Sequence, residues 1–196
     1  VTPATAFVRL NTSSAAGALS YSAATPLAVG DAYAYYTAIA DLDGDGRLDI
    51  AVGTGSSTDT GIVVVFRNQT TAGSMTPIFS SALTVSTGGQ PRQLVAVDLD
   101  GDGRPELVYP NATGTGGANK DTIAVLRNVS VSGTLSFAAK QNVAVGSLPL
   151  GMAAGDLDGD GKPDLAVANE NITTVSILKN RSTVGTISLT TDVTLT

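Results

Sequence analysis

An all-β fold built from a repeated four-stranded unit is what this sequence predicts, and three observations carry it. An acidic nine-residue stretch occurs three times, at residues 41–49, 98–106 and 156–164, with its copies 57 and 58 positions apart. Short runs rich in Val, Ile, Thr and Leu surround each copy in the same order, bounded by Gly, Pro, Asn and Ser, as strands and their turns are. No stretch shows a helical period. Four consecutive strands per repeat of this length make one blade of a β-propeller.

The elements follow in order. Residues 1–29 read as a half-blade: residues 7–11 match the third strand of a unit and 19–29 the fourth, with Leu10-Asn11 in the place of Arg127-Asn128. The first full blade, 30–87, has runs at 37–40, 48–52, 62–67 and 78–85. The second, 88–145, has them at 94–97, 107–109, 122–127 and 135–145. The third, 146–196, has them at 152–155, 165–168, 174–179 and 186–195. A Gly/Pro turn opens the second and third blades, and the first lacks the Pro. Ala38, Ala40, Ala96, Ala153 and Ala154 make the first strand of each blade small, which suits strands crowded near a propeller axis. The 196 residues form a single repeat domain. Two strands plus three blades do not close a ring by themselves.

The acidic stretch lies between the first and second runs. Its carboxylates stand at alternate positions and are closed by a fourth acid at the ninth. Such groups repel one another unless a cation sits among them. Ligands are assigned to Asp41, Asp43, Asp45 and Asp49, to Asp98, Asp100, Asp102 and Glu106, and to Asp156, Asp158, Asp160 and Asp164. The backbone carbonyls of Arg47, Arg104 and Lys162 complete each set. All-oxygen donors predict a hard cation, Ca²⁺ before Mg²⁺, at three sites. The opening six residues look like an EF-hand loop, but positions twelve are Val52, Tyr109 and Val167, where an EF-hand needs Glu. Glu106 in place of Asp predicts an altered second site.

Composition narrows the function. The chain has no Cys, His or Trp, which excludes disulfides, thiol chemistry, zinc sites and histidine acid–base catalysis. Twelve of 17 acidic residues lie in the three loops, and three Ca²⁺ would bring the formal charge of −6 to zero. No basic cluster points to nucleic acid, and no apolar stretch is long enough to span a membrane. With 22 Gly, 25 Thr, 17 Ser and only 14% charged residues, the chain suits an extracellular, secreted or cell-surface β protein. A start at Val1 predicts a processed chain or a fragment.

The pattern Pro-x-x, apolar run, Asp-x-Asp-Gly-Asp-Gly-x-x-Asp, Leu/Ile-Ala-Val, then an apolar strand ending in Asn, resembles the FG-GAP/VCBS repeats of integrin α-chain propellers and of many secreted microbial proteins. The resemblance covers nearly the whole chain. It implies a seven-bladed parent architecture with calcium in the loop joining strands one and two, and it implies no single activity. It also implies a ligand face opposite the calcium loops, carrying Tyr33, Tyr35 and Tyr36 and the loops 53–61, 110–121 and 169–172.

The expected function is a non-enzymatic, calcium-stabilised structural or adhesion module that assembles with further copies or repeats, with a filament subunit as one form. A lectin-like binder of glycans or proteins is the alternative. Six of nine Asn begin the sequon Asn-x-Ser/Thr: Asn11, Asn68, Asn111, Asn128, Asn171 and Asn180. They are candidate glycosylation sites, and four of them share one repeat position, where Asn also suits a tight turn.

Overall fold

The computed structural model describes residues 4–14, 17–30, 33–55, 61–80, 82–111 and 120–195. Its strands form one two-stranded and three four-stranded antiparallel sheets, ordered as in successive blades, and these do not close a ring. The half-blade is β1 (Ala4–Val8) and β2 (Thr25–Gly30). The first blade is β3 (Tyr33–Ala40), β4 (Asp49–Gly55), β5 (Gly61–Phe66) and β6 (Leu83–Ser86). The second is β7 (Val95–Val97), β8 (Glu106–Pro110), β9 (Thr122–Leu126) and β10 (Gln141–Ala144). The third is β11 (Pro149–Gly155), β12 (Asp164–Asn169), β13 (Thr174–Asn180) and β14 (Leu189–Leu195). A single 3-10 turn at Glu170–Ile172 joins β12 to β13.

The sequence pattern explains which strands lie inside. β5 is a continuous apolar run and β4 carries Ile50, Ala51 and Val52 in succession, and nearly every residue in both is buried. A strand covered on both faces has no need of alternation. The outer strand β6 alternates half-buried and exposed residues, because only one of its faces meets a neighbour. Fourth strands are shorter than the runs at 78–85 and 135–145 suggest. The early part of each run instead continues the hairpin through isolated bridges, Asn68 to Phe79 and Asn128 to Phe137. β1 likewise ends at Val8, and Asn11 pairs with Tyr21 beyond it.

The core lies between blades rather than at one centre. Leu27 and Val29 of the half-blade pack with Ile50, Val52, Val64 and Phe66 of the first blade. Leu42, Ala51, Val63 and Val65 meet Leu94, Leu107, Tyr109 and Leu126 of the second. Leu99, Val108, Ile123 and Val125 meet Met152, Leu165, Val167 and Leu178 of the third. Each fully buried Leu or Val contributes about 2 kcal/mol, so the blades are held by their junctions. The first strand of the first blade is the exception, with residues 33–37 and Ile39 exposed.

Candidate metal centres

The three acidic loops share one backbone geometry. The first Asp of each caps the turn: Gly44 N and Gly46 N donate to Asp41 at 2.8 Å each, Gly101 N and Gly103 N to Asp98 at 2.8 and 2.9 Å, and Gly159 N and Gly161 N to Asp156 at 2.7 and 2.9 Å. These glycines have φ between +72° and +86°, where any other residue would be strained. The third-position Asp accepts the N–H two residues on, at 3.1 Å for Asp43, 3.1 Å for Asp100 and 3.2 Å for Asp158.

The ninth-position acid has a second job beyond the one its spacing suggests. Asp49 accepts Leu42 N at 2.9 Å and Asn68 N at 2.7 Å. Asp164 accepts Leu157 N at 3.1 Å and Asn180 N at 2.8 Å. Glu106 keeps the same pair, Leu99 N at 2.7 Å and Asn128 N at 3.3 Å, so the longer side chain leaves the pattern intact. All three are buried and tie the loop to the end of the third strand.

Carboxylate oxygens of Asp41, Asp43 and Asp45, of Asp98, Asp100 and Glu106, and of Asp156, Asp158 and Asp164 each gather within 4.8 Å of one another, a grouping that could hold a metal ion. The clusters thus bring together three of the four acids assigned in each loop. Asp49, Asp102 and Asp160 lie outside these groupings. Asp102 instead pairs with Arg104, and Asp160 accepts Lys162 N at 2.9 Å. Arg67 reaches Asp43 and Asp45 from the third strand, and Lys179 reaches Asp158 from the same position of its own blade. The donor set is oxygen throughout and fits Ca²⁺, which takes six to eight oxygen ligands.

Burial pushes the Glu106 carboxyl up to about 7, against the pull of the Leu99 and Asn128 N–H groups, and Asp100 and Asp98 push it the same way. Asp49 moves up as well, again chiefly through burial. A carboxyl raised in the folded state holds its proton more tightly than in the unfolded chain. Its stabilising contribution is full below its ordinary value of 4.5 and is lost as pH climbs through about 7. In calcium-free buffer the melting temperature should therefore fall between pH 5 and pH 8, and Glu106→Gln should flatten that slope. Thermal melts followed by circular dichroism measure both. An unchanged slope in the variant would contradict the assignment to Glu106.

The structure gives the repeated Asn a role that spacing did not disclose. Asn128 donates through Nδ2 to Leu42 O of the preceding blade at 2.8 Å and to Pro105 O of its own at 3.0 Å, while its Oδ1 accepts Ser130 N at 2.9 Å. Asn180 repeats this with Leu99 O at 2.9 Å, Pro163 O at 3.0 Å and Ser182 N at 2.9 Å. Alongside, Gly133 N donates to Asp43 at 2.9 Å and Gly185 N to Asp100 at 2.8 Å. The second and third blades are thereby each latched to the acidic loop of the blade before. The six sequon Asn residues differ in burial. Asn128, Asn180 and Asn111 are buried, and their Nδ2 groups are committed: that of Asn111 goes to Thr122 at 2.9 Å. Asn11 and Asn171 are exposed, and Asn68 is half-buried.

On the opposite face, Tyr33, Tyr35 and Tyr36 are exposed and form a row, with ring centroids 6.3 and 6.4 Å apart. The loop expectations over residues 56–60 and 112–119 lie outside the described residues. No helix among the described residues is long and apolar enough to cross a membrane.

The FG-GAP-like repeat family matches residues 41–109 and 114–167. With that match spanning more than half the chain, and with three acidic clusters set between the first and second strands of successive four-stranded sheets, this chain belongs to the FG-GAP-like repeat family. The matched segments start in an acidic loop or just before β9 and end in the second strand of the next blade, so the family's unit bridges two blades. No curated protein is significantly similar to the chain.

Proposed function

We propose that this chain is a non-enzymatic, calcium-stabilised structural or adhesion module of the cell exterior that works in assembly with further copies or repeats. The observation that carries it is the placement of the acidic clusters. Asp43 and Asp100 each serve both a cluster and the latch to the next blade, so a cation there would stiffen the loop and the junction together. In this reading Asp41, Asp43 and Asp45, Asp98, Asp100 and Glu106, and Asp156, Asp158 and Asp164 hold one Ca²⁺ each, with the carbonyls of Arg47, Arg104 and Lys162 as further donors. The ion supplies charge neutralisation and cross-linking of the loop, not reaction chemistry. Without His or Cys, the chain has few groups suited to acid–base or nucleophilic work. Fractionation of native cells tests the reading. The protein should be found in the extracellular or surface fraction and be released by a calcium chelator. Recovery in the cytosol, or chelator-insensitive retention, would overturn it.

A further inference from the structure

One junction occurs intact twice in this chain, and each of its two halves occurs once more without a counterpart among the described residues. At the intact junctions Leu42 and Leu99 are each 1% exposed, and their carbonyls accept the Asn latch of the following blade. The third blade carries the same socket uncovered. Leu157, the equivalent residue, is 58% exposed, and its carbonyl accepts nothing from any described residue. On the same flank Leu150, Ala168, Val175 and Leu195 line an apolar groove of about 500 Å³.

The other end of the chain carries the matching plug. Asn11 Oδ1 accepts Ser13 N at 2.9 Å, the same turn that Asn128 and Asn180 make, but its Nδ2 donates to no described residue. Tyr21 pairs with Asn11 as Phe79 does with Asn68 and Phe137 with Asn128. Phe79 and Phe137 pack into the junctions with the preceding blades, whereas Tyr21 is 57% exposed. Phe7, four residues before Asn11, stands at the position of the buried Val64 and Ala124 and is 67% exposed. Three large apolar groups on these two faces are thus held in water in the single chain, each at a position buried or half-buried elsewhere in the repeat.

We propose that the half-blade of one copy docks on the third blade of another, with Asn11 Nδ2 on Leu157 O and Tyr21 and Phe7 over the Leu157 flank. The occupant is a second copy because this same chain bears both halves of the junction. A contact between two different faces of one molecule repeats, and it gives an open string unless the rotation closes. This deepens the assembly reading above and leaves its calcium component independent.

The test uses unglycosylated full chain in Ca²⁺, because a sugar on Asn11 would block the plug. Leu157→Lys removes the socket and Tyr21→Lys removes the plug. Both positions are exposed in the single chain, so melting temperatures should match that of the wild type. In sedimentation velocity, wild type should grow in mass with concentration and each variant should stay at 19.6 kDa. An equimolar mixture of the two variants should double that mass and go no further, since it has one good socket and one good plug. A wild type that is monomeric at every concentration, variants that still associate, or a mixture that stays monomeric would overturn the proposal. Three calcium ions bound to a monomer would do so while leaving the calcium reading standing.

Discussion

Withdrawing calcium from the folded chain should lower its melting temperature by roughly 20 °C. A site held at a hundred times its dissociation constant stabilises by roughly 2.7 kcal/mol, so three sites give roughly 8 kcal/mol. For a chain of this length each kcal/mol shifts the midpoint by roughly 2–4 °C. The loss has a structural cause. Without the ion, the oxygens of Asp98, Asp100 and Glu106, gathered within 4.8 Å, face one another with only N–H donors and no cation among them to offset their repulsion. The loop that opens also carries Leu99, which fills the junction with the third blade, and Asp100, which accepts Gly185 N. Unloading one loop therefore loosens two blades. Ca²⁺ should restore the midpoint and Mg²⁺ should do so poorly, because the smaller ion demands octahedral geometry and keeps its waters. Differential scanning calorimetry with and without chelator measures this, and a melt indifferent to chelator would contradict it.

Asn128→Ala should destabilise the calcium-loaded chain by roughly 3–5 kcal/mol and lower its midpoint by roughly 10–15 °C. The substitution strands three buried groups at once, the carbonyls of Leu42 and Pro105 and the N–H of Ser130. A buried polar group without a partner costs about 1–3 kcal/mol. Asn68→Ala is the internal comparison. Its Nδ2 donates to Leu48 O alone, at 3.0 Å, and the residue is half-buried, because the half-blade before it has no acidic loop to latch. Its loss should be less than half as large. Equal losses would mean that the Asn matters only as a turn former, which is how the sequence pattern alone presents it.

That contrast shows where the sequence was legible. Repetition made the fold readable: three acidic loops in register, with the same apolar runs around each, leave little choice but four-stranded units. The acidic positions were readable for the same reason, since carboxylates at alternate positions have one evident purpose. The division of labour within a loop was not. Asp49, Glu106 and Asp164 read as ligands by spacing alone, yet each also accepts two backbone N–H groups, and Glu106 and Asp164 join the acidic clusters while Asp49 does not. The Asn latch was hidden because its partner, Leu42 O, lies 86 residues away in the chain. Its one sequence trace was an Asn at the end of every third run, which the sequon pattern drew toward a surface role. Asn128 and Asn180 are both buried at the blade junctions.

The latches also explain why the third loop differs from the others. Asp156, Asp158 and Asp160 are exposed where their counterparts in the first two loops are buried or half-buried, and among the described residues no N–H reaches them as Gly133 reaches Asp43 and Gly185 reaches Asp100; Asp164 stays buried. Lys179 reaches Asp158 as Arg67 reaches Asp43.

The account stands or falls on whether these clusters are calcium sites. Isothermal titration of the calcium-free chain, with metal content checked by native mass spectrometry, measures this directly. Three Ca²⁺ per chain are expected, and two in Asp158→Ala, with the first two loops still occupied. A chain that binds no Ca²⁺, or a variant that still binds three, would contradict the account.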